Sequence, residues 1–271
     1  MSPALMTTSQ RRLAAAAPRP AQGFVSRRVE VAGLRLHVRS RAAATGRPWV
    51  LLHGLAVSHR YLMPTAAALE GGPVHVPDLV GFGLSVKPRP VLDVVGHSRV
   101  IAAWLDAEGI GPASVLANSF GCQVAVELAI RRPDLVAALV LVGPTVDPDA
   151  PTSAGQAGRW LLDLTREDPR QAALIAADVR DAGIRRVLTT LRLSVRHRIE
   201  QRLPLVTQPV LVLRGEHDPI VPPRWARDAG LLAPRGATGE IPGAAHNAVT
   251  TAGTEVAARA LAFVGGPARP V

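Results

Sequence analysis

The sequence predicts an α/β fold in which helices cover both faces of a mostly parallel, doubly wound sheet. Short, wholly apolar runs recur along the chain, as expected of strands that are buried on both faces. Stretches with helical spacing separate these runs. Polar residues follow the runs directly, and in such sheets the ligands bind beyond the carboxyl ends of the strands.

The elements follow one another in a regular order. Alternating apolar and polar residues around Ala32-Gly33 predict an antiparallel hairpin over residues 28–39. Apolar runs predict the later strands at 49–52, 114–118, 138–142 and 210–213. Two further short strands are predicted at 74–76 and 238–241. Helical spacing predicts the intervening helices at 60–70, 92–108, 124–130, 223–232 and 250–264.

One long segment breaks the alternation. Residues 145–205 contain several amphipathic helical pieces and no strand-like run, so we expect a helical lid inserted into a core built from residues 24–144 and 206–271. The apolar residues of this segment predict the roof of a hydrophobic pocket. The first 23 residues are rich in Ala, Pro, Ser, Thr and Arg and contain no acidic residue, which favours a disordered tail.

Composition narrows the expected partners and location. The chain of 271 residues has a formal net charge of +10, but only 3% of its residues are aromatic. Its arginines are scattered, so we expect no nucleic-acid binding. No apolar run is long enough to span a membrane. Cys122 is the only cysteine, which favours a reducing, cytoplasmic location, and we interpret it as a small buried residue.

The stretch from Ala117 to Gly121 places a serine at the junction of a predicted strand and a predicted helix. Such a turn is so tight that the residues two before and two after the serine must be small, and Ala117 and Gly121 meet this requirement. Ser119 would then be a nucleophile held at a helix N-terminus. Alternatively, Ser119 only caps the helix.

A serine nucleophile needs a base, and the base needs an orienting acid. Asp218 follows the predicted strand at 210–213, and His246 follows the last strand. With Ser119 they give the chain order Ser, Asp, His at one edge of the sheet. Asp218 could instead be a turn residue before Pro219, and His246 could be a capping or core histidine. All three at matching strand ends predict a catalytic triad.

The sequence resembles the α/β-hydrolase-fold enzymes over nearly its whole length. The resemblance is carried by His53-Gly54, Asp78 to Ser85, Asn118 to Gly121, Arg214 to Asp218 and Gly243 to Asn247. It implies an eight-stranded-type sheet with a short helical lid after the sixth strand. It also implies a serine hydrolase that needs no cofactor and no metal.

The resemblance assigns roles to individual residues. Ser119 would be the nucleophile, His246 the base and Asp218 the orienting acid. The backbone N–H groups of Leu55 and Phe120 would form the oxyanion hole. Four further residues would shape the loops beside the site without reacting: His53, Gly54, Asp78 and Gly81. Among them, His53 would hold the oxyanion loop.

Alternatives stay open for the base and the acid. His217 lies next to the predicted acid and could be the base instead of His246. Asp147 or Asp149 follows the sixth strand, where some relatives carry the acid.

The expected function is that of a soluble serine hydrolase that cleaves a small or medium apolar carboxylic ester through an acyl-enzyme on Ser119. A small-molecule substrate is the expected partner, and the oligomeric state is not indicated. Haloalkane dehalogenases and epoxide hydrolases use an aspartate at the elbow, which Ser119 excludes. A non-catalytic, ligand-binding member of the fold is an alternative from another class.

A second enzymatic alternative is the hydrolysis of a C–C bond in an acidic ketone. The elbow and the Asp78 loop resemble the meta-cleavage-product hydrolases, although Asn247 stands where those relatives usually have tryptophan. Three arginines of the insertion could bind the acid, or they could form a solvated face of the lid: Arg185, Arg192 and Arg196.

Overall fold

The structure, a computed structural model, describes residues 23–266. Its strands are β1 (Val25–Val31), β2 (Leu34–Arg41), β3 (Trp49–Leu52), β4 (Val74–Pro77), β5 (Ala113–Asn118), β6 (Val136–Val142), β7 (Val210–Gly215) and β8 (Gly236–Ile241). They form one eight-stranded sheet in the order β1-β2-β4-β3-β5-β6-β7-β8. β2 pairs antiparallel with β1 and β4, and all other pairs are parallel. The predicted fold class is therefore confirmed.

The helices are α1 (His59–Ala68), α2 (Val94–Glu108), α3 (Phe120–Arg131), α4 (Ser153–Asp163), α5 (Ala172–Ala182), α6 (Ile184–Arg196), α7 (Ile199–Arg202), α8 (Pro223–Leu232), α9 (Ala248–Thr251) and α10 (Gly253–Gly265). The single helix expected over 250–264 is thus two helices. They meet at Ala252, whose φ of −126° and ψ of 35° leave the helical region. Within residues 23–266, no helix combines the length and the apolarity needed to cross a membrane.

The apolar core lies in two layers, one on each face of the sheet. Consecutive residues of a strand point to opposite faces, so Val115 packs with the layer under α2 and α3, while Leu116 packs with the layer under α1 and α10. Every residue of β3, β5 and β7 is buried. This explains why each of these strands contains a continuous apolar run in the sequence.

Four helices, α4 to α7, lie between β6 and β7 in the chain. Polar contacts fasten this insertion to the rest of the molecule. Gln123 of α3 donates from Nε2 to the Ser194 carbonyl at 2.9 Å, and Ser194 Oγ donates to Gln123 Oε1 at 2.7 Å. Arg60 of α1 forms a buried ion pair with Asp178 of α5. The tail expected at the N-terminus lies, apart from residue 23, outside the described residues.

Candidate active site

Ser119 is the single residue between the end of β5 and the start of α3. Its φ of 53° and ψ of −121° lie in a region that residues other than glycine rarely adopt. At Gly121 a Cβ atom would lie 2.5 Å from the Leu52 carbonyl oxygen and 2.7 Å from that of His53. A residue without a side chain at Gly121, two positions after the serine, is therefore required by the close approach of the end of β3 to the first turn of α3.

His246 and Asp218 form a buried hydrogen-bonded pair. His246 Nδ1 donates to Asp218 Oδ2 at 2.8 Å. The other carboxylate oxygen, Oδ1, accepts from the backbone N–H groups of Ile220 and Val221 at 2.8 and 3.0 Å. Because both oxygens are held, the carboxylate can fix the orientation of the imidazole ring.

The second ring nitrogen of His246 is not engaged by Asp218. Nε2 is buried and has no hydrogen-bond partner among residues 23–266. His246 and Ser119 line the same cavity, but the direct hydrogen bond between Nε2 and Ser119 Oγ that a triad implies is not formed within this described part of the chain. Such bonds are often long without substrate and tighten in the reactive complex.

Two acidic residues of the insertion hold the loop that carries the histidine. Asp163 Oδ1 accepts from the backbone N–H of His246 at 3.2 Å, and Glu167 Oε1 accepts from that of Asn247 at 2.5 Å. Burial by itself would lower the pKa of His246, but the charge and hydrogen bond of Asp218, with Asp163 and Glu167 nearby, raise it to about 9. The resting site therefore favours the imidazolium at neutral pH.

Gly143, at the end of β6, leaves room for the His–Asp pair. A Cβ atom there would lie 2.9 Å from His246 Cε1 and 3.3 Å from Asp218 Oδ2. Its φ of +60° also favours glycine. This residue therefore allows both side chains to approach the end of the strand.

The predicted oxyanion residues, Leu55 and Phe120, both line the cavity. Phe120 is the first residue of α3, so its backbone N–H has no acceptor within the helix. His53 donates from Nδ1 to the Gly54 carbonyl at 2.8 Å and accepts at Nε2 from the Leu79 N–H at 2.9 Å. His53 thus ties the loop after β3 to the loop after β4 and is not in the cavity wall.

Asp78 is a buried junction behind the cavity. Its carboxylate accepts from His37 Nδ1 at 2.8 Å, from the backbone N–H of His59 at 2.7 Å and from that of Leu84 at 2.9 Å. Burial would raise the pKa of Asp78, but His59 and His37 hold it well below its ordinary value. Gly81, with φ of +99°, lies against the Arg186 guanidinium rather than in the cavity wall.

Within residues 23–266, one group has the composition of a metal site: His37, His59 and Asp78, whose ligand atoms lie within 4.8 Å of one another. Both imidazole Nδ1 atoms are already hydrogen-bonded to the carboxylate. His37 Nε2 lies 3.0 Å from Ser26 Oγ. Through these hydrogen bonds the group joins β2, α1 and the loop after β4, which is a structural role.

The alternative base and acids lie elsewhere. His217 is exposed and outside the cavity lining. Asp147 is paired with Arg159 and Arg224, and Asp149 is paired with Arg224. Only Asp218, of the three candidate acids, is hydrogen-bonded to His246.

The three insertion arginines are not where an acid-binding role requires them. The cavity-facing side of α6 is apolar and has helical spacing: Ile184, Val187, Leu188 and Leu191. Arg185, Arg192 and Arg196 are exposed and outside the cavity lining, so the expectation that they bind an acidic substrate needs correction. The physical reason is the helical period, which places them on a different side of α6 from the apolar row.

The cavity itself has a volume of about 240 Å³ and a mostly apolar lining. Helices α4, α5 and α6 of the insertion supply much of its wall, including Trp160, Leu164, Ile175 and Val179. Asn118, Thr145, Gln156 and Ser194 add polar groups. An apolar pocket with few polar groups beside a strained serine is suited to binding and attacking a small apolar carbonyl compound.

Sequence reasoning missed Asp163, Glu167 and the role of Tyr61. Tyr61 OH donates to Asn247 Oδ1 at 2.6 Å and fixes the residue after the histidine. No local pattern marks Glu167 or Tyr61. The polar position Asp163 within the apolar stretch of α4 was the available signal, because a carboxylate on a cavity-facing helix side needs a partner.

Comparisons with known proteins place the chain in a family. The family model described as alpha/beta hydrolase fold matches residues 48–197. Lipase LipV of Mycobacterium tuberculosis is 41% identical over 138 residues, which are 51% of this chain and 52% of that protein. The 2-hydroxymuconate semialdehyde hydrolase of a Pseudomonas species is 35% identical over 129 residues, 44% of this chain and 43% of that one. The chain thus spans about half the length of these curated relatives.

Solved structures share the fold. A putative lipase from Acinetobacter baumannii superposes with a TM-score of 0.78 at 18% identity, covering 96% of each chain. A thermophilic esterase from Thermogutta terrifontis gives 0.76 at 21% identity, covering 89% of this chain and 98% of that one. Since the family model spans more than half of the 271 residues, this chain belongs to the alpha/beta hydrolase fold family.

Proposed function

We propose that this protein is a serine hydrolase that cleaves a small or medium apolar carboxylic ester through an acyl-enzyme on Ser119. The observation that carries the proposal is the buried His246–Asp218 hydrogen bond beside the strained Ser119, at the wall of one apolar cavity. The 41% identity to a lipase over about half of the chain supports ester hydrolysis as the reaction class.

The acylation step uses the nucleophile and the base together. Ser119 Oγ attacks the ester carbonyl carbon while His246 Nε2 takes the hydroxyl proton. The negative oxygen of the tetrahedral intermediate accepts hydrogen bonds from the backbone N–H groups of Leu55 and Phe120, and one such donor is typically worth ~3 kcal/mol of barrier. His246 then gives the proton to the departing alcohol.

Deacylation repeats this chemistry with water. His246 removes a proton from a water molecule, which attacks the acyl carbon. The acyl–Oγ bond then breaks, His246 returns the proton to Ser119 Oγ, and the carboxylic acid is released. Asp218 keeps the imidazole oriented through both steps and stabilises the imidazolium. In this proposal residues 145–205 act as a lid, because α4 to α6 supply cavity wall that the core strands do not.

A second candidate is hydrolysis of a C–C bond in an acidic ketone. Its support is the 35% identity to 2-hydroxymuconate semialdehyde hydrolase. Against it stands the cavity lining, which contains no lysine or arginine among the described residues. We therefore rank ester hydrolysis first.

The test is a screen of p-nitrophenyl esters alongside a meta-cleavage product, with the wild type and Ser119→Ala. We expect turnover of short apolar esters, a loss of about 10⁴-fold or more in Ser119→Ala, and no loss in the control Ser98→Ala, which lies in α2 outside the cavity lining. Near wild-type activity of Ser119→Ala would contradict the nucleophile. Failure of a fluorophosphonate probe to label the wild type would favour a non-catalytic ligand-binding protein.

A further inference from the structure

The cavity wall has an unbalanced charge. Among the described residues, its lining contains one acidic side chain, Asp163, and no lysine or arginine. Asp163 is the last residue of α4 and is only 2% exposed. The insertion arginines Arg185, Arg192 and Arg196 are exposed instead. A substrate in the cavity therefore meets a carboxylate and no fixed side-chain cation apart from a protonated His246.

The Asp163 carboxylate is hydrogen-bonded to the backbone of the proposed base and lines the same cavity as Ser119. Asp163 Oδ1 accepts from the backbone N–H of His246 at 3.2 Å. Within residues 23–266, no lysine or arginine nitrogen lies within 4.0 Å of its carboxylate. Burial, with the nearby charge of Asp218, raises the pKa of Asp163 above its ordinary value, and the positive charge of His246 offsets part of that rise. His246 is the cation with the largest effect on this acid, and Arg166 outside the cavity lining adds a smaller one. His246 must be neutral before it can take the Ser119 proton, so this compensation is absent when the base is ready to react.

The reaction itself produces a like charge at this place. Water adds across the acyl–oxygen bond, the alcohol leaves with one proton, and the acid loses its proton to become a carboxylate at neutral pH. Like charges repel strongly where water is largely excluded. A carboxylate formed next to Asp163 is thus bound less tightly than the neutral ester from which it came.

We propose that Asp163 is a specificity-determining residue that makes the cavity reject carboxylate-bearing substrates, accept neutral esters and expel the carboxylate product. The inference rests on the proposed ester hydrolysis and deepens it. It also separates this protein from enzymes whose substrates are acids, since those need a cation where this cavity has an anion.

The decisive experiment compares two substrates with acyl chains of four carbons, p-nitrophenyl butyrate and mono-p-nitrophenyl succinate. Asp163→Asn removes the charge and keeps an oxygen that can accept from the His246 N–H. We expect Asp163→Asn to lower the butyrate-to-succinate ratio of kcat/KM by about tenfold. A change in the pKa of His246 acts on both esters and cancels in the ratio.

The control is Glu70→Gln, which removes an exposed acid outside the cavity lining and should leave the ratio unchanged. A ratio in Asp163→Asn that stays within twofold of the wild type would overturn the inference, while butyrate turnover would still uphold the proposed function.

A binding measurement does not depend on catalysis. In Ser119→Ala, Nile red bound in the cavity is displaced by octanol or by octanoate. We expect adding Asp163→Asn to strengthen displacement by octanoate about tenfold and to leave that by octanol unchanged. If octanoate binding strengthens in this way but the wild type turns over no ester, the inference is upheld and the proposed function is wrong. Equal octanoate binding in both proteins would overturn the inference.

Discussion

His246 Nδ1 and Asp218 Oδ2 lie 2.8 Å apart, and both side chains are buried. Burial would lower the pKa of His246, but Asp218 and the acids of the insertion raise it to about 9. The neutral imidazole that can act as a base is therefore formed only as the pH rises toward that value. We predict that kcat/KM for a neutral ester rises from pH 6 and levels off above about pH 9.

The same pair predicts the effect of a substitution. Asp218→Asn removes the charge that raises the pKa of His246 and no longer favours the reactive tautomer, so we expect kcat to fall by about 10⁴. Asp228→Asn, in α8 and outside the cavity lining, is the control. A pH profile that is flat from 6 to 10 in the wild type would contradict the assigned protonation of the base.

Glu167 gives a prediction for stability. Burial raises its pKa from the ordinary 4.5 to about 7. The folded protein thus holds this proton more tightly than the unfolded chain, and the associated stability is present below about pH 4.5 and is lost as the pH rises through 7. Glu167→Gln keeps an acceptor for the Asn247 N–H and has no charge to bury. We expect the free energy of unfolding at pH 8 to increase by about 2 kcal/mol.

Urea unfolding at pH 5 and pH 8 measures this difference. The gain should shrink by more than half at pH 5, where most of Glu167 is protonated in the folded protein. Glu255→Gln, an exposed position in α10, should show no such pH dependence. A gain that is equal at both pH values would mean that the ionisation of Glu167 does not oppose folding.

Gly143 gives a prediction about geometry. In Gly143→Ala the new methyl group would lie 2.9 Å from His246 Cε1 at a backbone φ of +60°, so the imidazole must shift. We expect kcat for the neutral ester to fall by about 10²-fold, as for other small misplacements of reacting groups. The control is Gly158→Ala in α4, where a Cβ atom meets nothing within 4 Å. Equal activity of the two variants would show that the ring is not confined by Gly143.

The sequence was sufficient to predict the strands and the residues at their ends. Buried parallel strands leave continuous apolar runs such as 210–213, and the polar residue after each run is fixed to one edge of the sheet by the topology. This is why the Asp218–His246 pair could be named before any distance was known. The hairpin around Ala32-Gly33 could also be predicted, because its signal lies in neighbouring residues. In the structure its two turn residues have φ values of 49° and 73°.

The insertion could not be predicted in the same detail. Its helices have no sheet to fix their rotation, so the contact between Asp163 and the His246 loop depends on tertiary packing. The outward direction of Arg192 was available from the sequence, because Leu188 and Leu191 define the apolar side of α6. The sequence left open whether the insertion arginines bind an acid or form a solvated face of the lid, and the exposure of Arg185, Arg192 and Arg196 supports the solvated face.

The final prediction concerns how the insertion is held. Arg60 and Asp178 pair with side-chain exposures of 7% and 1%, and Ser58 Oγ donates to Asp178 Oδ2 at 2.9 Å. Asp178→Ala would leave a buried guanidinium without its partner, at a cost of about 3 kcal/mol. Glu255→Ala breaks an exposed ion pair with Arg259 and should cost at most about 0.5 kcal/mol. Urea unfolding measures the difference in stability between the two variants. Faster amide hydrogen exchange in α5 of Asp178→Ala would show that this helix is the part destabilised. If the two substitutions cost the same, the ion pair does not anchor α5, and packing of its apolar residues alone holds the helix over the cavity.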